Sequence, residues 1–263
     1  TTGSNNVAVG RQALTSNTTA DDNVAVGDNA LNSSTTALSN TAIGTEALLY
    51  TTTGNYNTAV GHKAMETNTT GTENVAVGSF ALDNCSTSSY NVAVGYGTLT
   101  QATTGNSNTA LGHRASDTLT TASNTVAVGT DALGLLTTGN ANVAVGKDVL
   151  SQLTTVSELV AVGFKALEQN TSGTHNTAVG AYAADAITSG IRNTALGYGT
   201  LTSGTSINYN TALGYAALAD CSSDSNTGVG HAALTAMTTG GQNTAVGNGA
   251  GDAITTAGGN TIM

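Results

Sequence analysis

The chain has 263 residues, a formal net charge of −10 and six basic residues in all. So few cations exclude a nucleic-acid binder, which needs clustered Lys and Arg to neutralise phosphates. Charged residues are only 8% and proline is absent, unlike a disordered chain, and no apolar run approaches the roughly 20 residues that span a bilayer, so no membrane insertion of this segment is expected.

Fifteen copies of a 17-residue unit fill the chain: Asn-Thr/Val-Ala-Val-Gly-x-x-Ala-Leu-x-x-x-Thr-Thr-Gly-x-x. The closing glycines step by 17 from Gly10 and Gly27 to Gly214; one residue is then lost, and Gly230 and Gly247 resume the series. A unit this short cannot bury its own apolar side chains and must stack on its neighbours. The expected fold is an all-β parallel β-solenoid (β-roll) of about 15 turns. It would run over residues 1–263 as a single continuous array, cut from a longer fibre because Thr1-Thr2-Gly3 and Asn260-Thr261 both fall within a repeat. At a strand spacing of about 4.8 Å the stack would be roughly 70 Å long. No signal peptide is apparent, as in a mature or excised segment.

Stacking turns repeat positions into columns. The opening Asn, replaced by Thr125 and Leu159, forms an amide ladder. The strand that follows is Val/Thr, Ala, then Val/Ile/Leu. Its central Ala, as in Ala8, Ala25, Ala59 and Ala127, admits nothing larger than a methyl, so it presses on another backbone or on a symmetry axis. Alternate strand residues point to opposite faces. A strand apolar on both faces suggests one face inside the coil and the other on a second chain, hence a parallel homotrimer or fibre assembly. The residue before each Gly (Val9, Ile43, Leu111) reads as core. So does the residue four after it, where Leu14, Leu31 and Leu133 stand with few exceptions. Two hydroxyl columns, Thr18 and Thr19 onward, read as a second short strand, and the Gly that often follows (Gly54, Gly71, Gly105) as a positive-φ corner. Each turn would then be two strands and two corners.

The core Asn57-Thr58-Ala59-Val60-Gly61, repeated as Asn243-Thr244-Ala245-Val246-Gly247, resembles the head repeats of YadA-like trimeric autotransporter adhesins, and is similar to the repeat arrays of phage tail fibres. The resemblance covers nearly the whole chain. It implies a left-handed parallel β-roll with three chains side by side, extracellular, on a cell surface or a virion.

Candidate sites are few. Cys85 and Cys221 share a column about 38 Å apart, too far for a disulfide, and read as small buried hydrophobes. The residue after each Gly is variable and often large. Among these, Tyr96, Phe164, Tyr198 and Tyr215 could stack on cell-surface glycans. His62 and His113 share the column but lie roughly 14 Å apart, too far for one metal site. No calcium-loop spacing, Ser-His-Asp set or paired carboxylate stands out, so neither cofactor, metal nor enzymatic activity is expected. Five sequons, at Asn17, Asn32, Asn68, Asn84 and Asn170, are what so much Asn, Thr and Ser gives by chance. The expected function is a structural fibre shaft or surface adhesin segment. The alternatives are a glycan-binding surface and, less favoured because adjacent Thr point opposite ways on a strand, an ice-binding one.

Overall fold

The computed structural model describes residues 2–263; Thr1, where the sequence reading starts the array, lies outside them. The chain is a parallel β-solenoid of about 15 turns with a repeat of about 17 residues. It divides into two compact units, one ending at Asp131 and the other Ala132–Met263. Among the described residues each unit holds eight strands. They run from Val7–Val9 to Val126–Val128 in the first and from Val143–Val145 to Thr261–Ile262 in the second.

Within each unit every strand pairs in parallel with the strand one repeat on. Val7 faces Val24, Ala8 faces Ala25 and Val9 faces Val26; in the second unit Thr194 faces Thr211 in the same way. The lost residue does not disturb the register, since Thr211 faces Thr227 and Leu213 faces Val229. It is absorbed where Ser222 alone joins Cys221 to Ser223. Asn210 Nδ2 still reaches Ser223 O at 3.0 Å, the bond that Asn193 Nδ2 makes to Ile207 O at 2.7 Å.

The central Ala of the strand faces the coil interior. Ala25, Ala59 and Ala127 are fully buried by the chain's own turns, whereas Ala8, in the first described strand, is exposed. Leu14, Leu31 and Leu133 fill the same interior. Two further interior columns complete it: the residue three after each closing Gly, mostly Ala (Ala30, Ala47, Ala64), and the residue seven after it (Cys85, Leu119, Leu136, Leu153, Met237). The residue before each Gly is not core. Val9 is 58% exposed, Ile43 41% and Leu111 47%, because strand alternation sends the neighbours of an inward Ala outward.

The opening Asn is buried and does form a ladder. Asn57 Nδ2 donates to Asn40 Oδ1 at 3.1 Å and to Gly71 O at 2.9 Å. Asn57 Oδ1 in turn accepts from the backbone N–H of Asn74 at 3.0 Å and from Asn74 Nδ2 at 3.1 Å. Such a column satisfies backbone groups that a corner would otherwise bury unpaired.

The Thr-Thr segment is not a second strand; one strand forms per turn. Thr18 donates its amide and its hydroxyl to Thr35 O, at 3.2 and 2.9 Å, and Thr19 N–H reaches the same oxygen at 3.4 Å. Three donors on one carbonyl leave no strand ladder, and the hydroxyls bind backbone rather than each other. The glycines after the Thr pair are not positive-φ corners either. At Gly54 an added Cβ would run into the carbonyl oxygen of Gly71, so close turn-to-turn packing selects Gly there.

Positive φ occurs elsewhere, in four columns. The closing glycines lie between 130° and 140°, a region open essentially to Gly alone. The residues two and four after each closing Gly (Gln12 at 57°, Leu14 at 52°) and the residue before the opening Asn (Tyr56 at 59°) are left-handed. None of these three columns holds Val, Ile or Thr anywhere in a chain rich in all three. A β-branched side chain crowds the backbone too closely at positive φ, and that is why the core filler is Leu and never Ile.

Candidate binding surface

The closing Gly turns the chain sharply out of the strand, so the next residue projects from the coil, and successive turns bring these residues into line. In the first unit His62, Phe80, Tyr96 and His113 form a continuous ring ladder, with centroids 5.2, 5.8 and 5.6 Å apart. In the second, Phe164, Tyr182, Tyr198, Tyr215 and His231 do the same at 5.2, 5.8, 5.4 and 5.1 Å. Tyr96 lies flat on His113 and Tyr198 flat on Tyr215, while Phe80 and Tyr182 meet their neighbours edge-on. Tyr96, Tyr198 and Tyr215 are each more than half exposed. Phe164 is half-buried, with Lys147 and Lys165 nitrogens 6.0 and 5.8 Å from its ring.

Phe80 and Tyr182 stand one column further on and are absent from the sequence reading of this surface. A signal for them exists. Gly95-Tyr96-Gly97-Thr98-Leu99-Thr100 recurs as Gly197-Tyr198-Gly199-Thr200-Leu201-Thr202, 102 residues or six turns later. Phe80 and Tyr182, and His62 and Phe164, are related by the same step.

Beside the aromatic ladder, the position five after the closing Gly is acidic in several turns, as at Glu66, Asp83, Asp117, Glu168 and Asp185. Lys63 Nζ lies 3.2 Å from Glu66 and 3.4 Å from Glu46; Lys165 pairs with Glu168 at 2.9 Å. Asp83 follows Glu66 in the next turn. Burial, then the Glu66 charge and a hydrogen bond to Glu66, push its carboxyl up to about 6. Burial likewise raises Asp185. The fold thus brings together an acidic pair that the sequence reading did not single out, because its members are 17 residues apart. Arg114 Nε holds Asp117 Oδ2 at 3.0 Å, while Asp117 Oδ1 is buried without a partner.

Among the described residues no three His, Cys, Asp or Glu side chains gather as a metal site. Cys85 and Cys221 are free and buried. Burial drives the Cys85 thiol up to about 12, which leaves it without the thiolate that reactivity needs. A polar hollow of about 590 Å³ opens where the short turn breaks the column, lined by Ser206, Ser223, Asp224, Thr239 and Gln242. Among the described residues no helix is long and apolar enough to cross a membrane.

The opposite character marks the strand face. Val7, Val9, Ile43, Val75, Val77, Val92 and Leu111 in the first unit, and Val160, Leu213 and Val246 in the second, are exposed apolar side chains repeating in register. Compared with family models, with curated protein sequences and with solved structures, the chain matches none.

Proposed function

We propose that this chain is a structural segment of a surface fibre or adhesin, a repetitive spacer that self-associates side by side and carries out no reaction. The observation that carries the reading is the outward strand face. Contiguous apolar surface in a soluble protein marks a contact, and here it recurs with the repeat. The contact would be made by the Val/Thr and Val/Ile/Leu columns, since the Ala column is spent inside the coil. A parallel homotrimer, of the kind implied by the resemblance to YadA-like heads and tail fibres, would bury this face on all chains alike. Such an assembly belongs outside the cell, on a bacterial or virion surface.

Sedimentation equilibrium tests it. The wild type is expected at three times the 25.8 kDa chain mass, and Ile43→Lys with Leu111→Lys at the single-chain mass with unchanged circular dichroism. A folded wild type sedimenting as one chain overturns the reading.

A further inference from the structure

The position two after each closing Gly carries a side chain in most turns, and at Gly97 it does not. Gly97 lies between Phe80 one turn before and Arg114 one turn after. Its φ of 60° does not require glycine, because Lys63 at 56° and Asn29 at 57° occupy the same column. A Cβ there would meet nothing nearer than 3.7 Å. The missing side chain leaves a hollow of about 250 Å³ lined by Phe80, Tyr96, Gly97, Thr100, Arg114 and Asp117.

We infer that this slot is a carbohydrate site that takes a single pyranose ring between Phe80 and Arg114. Two turns at the strand spacing put the walls roughly 9.6 Å apart. A ring in contact on both sides needs about 7 to 8 Å, so one ring fits and two do not. The walls have the two-sided chemistry of a sugar. Phe80 and the exposed Tyr96 line the hollow with aromatic ring surface, which suits the ring's C–H groups. Opposite them stand a guanidinium, a carboxylate and a hydroxyl, matched to vicinal hydroxyls that both donate and accept. Thr100 Oγ1 already donates to Gly97 O at 2.8 Å, which leaves its lone pairs free to accept. Asp117 Oδ2 holds Arg114 Nε at 3.0 Å and so fixes the guanidinium beside the hollow. A flat nucleobase would also fit the gap, but a chain of net charge −10 repels the phosphates that accompany one.

The duplicate slot 102 residues on keeps Tyr182, Tyr198, Gly199 and Thr202 but has Ala216 and Ala219 for Arg114 and Asp117. It retains the stacking wall without the polar one and would bind more weakly. Neither slot uses the outward strand face, so the site stands whether or not the chains associate.

Saturation-transfer NMR with a panel of methyl pyranosides (gluco, galacto, manno and N-acetylglucosamine) tests this, with uridine as the flat-ring probe. Saturation from aromatic protons should reach the ring protons of at least one glycoside. Gly97→Lys should weaken that binding by about tenfold or more, since it fills the slot with a residue the column already accommodates. Gly249→Lys, in the same column at φ 65° but with Ala232 where the slot has Phe80, should leave it unchanged. Failure of every glycoside, saturation of uridine alone, or equal effects of the two Lys variants would overturn the site.

Discussion

Gly112 shows how much a single residue is asked to do. Its φ is 136°, and an added Cβ would also meet the backbone of Gly129 in the next turn. Gly112→Ala should therefore lower stability by at least about 1–3 kcal/mol, the cost of such a backbone state alone. Gly97→Ala, at φ 60° with no neighbour nearer than 3.7 Å, should cost at most about 1–2 kcal/mol. Urea unfolding of the pair checks the ranking; equal losses would contradict it. The leucine column makes a second prediction. Leu48 has φ 51° and is fully buried. Leu48→Met should be nearly neutral, as Met65 already stands in that column. Leu48→Ile, a swap that cores usually tolerate for less than about 1.5 kcal/mol, should exceed that limit here because branching at Cβ opposes the left-handed backbone.

At the scale of the turn, neighbouring members of a ladder depend on one another. Asn57→Leu removes the acceptor for the buried Asn74 N–H. An orphaned buried donor costs about 1–3 kcal/mol, and chemical denaturation should show a loss of that size. Leu133→Asp places an unpaired carboxylate in the dry interior, and several kcal/mol of destabilisation is expected. Thr130→Asp, half-buried beside the closing Gly, should melt close to the wild type. The acidic column gives a pH dependence. Asp83 titrates near 6 in the fold against 3.8 unfolded, so the folded chain holds the proton more tightly. Stability then falls as pH rises from about 4 to about 6, and the ionised group is destabilising above that. Asp83→Asn should flatten this part of the profile and raise the melting temperature at pH 7; a parallel profile would show that Asp83 is not its source.

For the whole molecule, the composition sets two opposing terms. The outward Val, Ile and Leu side chains favour side-by-side association. A charge of −10 on every chain opposes it. Salt screens the second and not the first, so the associated fraction should increase with ionic strength. Association that weakens with salt would point to ion pairs, not the apolar face, as the contact.

The period, the parallel register and the interior Leu and Asn columns follow from the order of residues alone. A strict repeat forces identical residues into the same place turn after turn. What it left open was the direction each column faces and the backbone state that puts it there. Val9 and Ala8 are both apolar and adjacent, and a pattern of hydrophobicity cannot tell an inward Ala from an outward Val when neither is polar. The structure resolves this because only the smaller residue fits the narrow interior. The Thr pair misled for a related reason. Its composition favours a strand, but the neighbouring turn offers one carbonyl to three donors, and tertiary hydrogen bonding overrides propensity. The left-handed columns were legible after all, in the absence of Val, Ile and Thr from three positions. The slot at Gly97 was not. It is a missing side chain between two residues 34 positions apart in sequence, and only the stacking of turns makes them its walls.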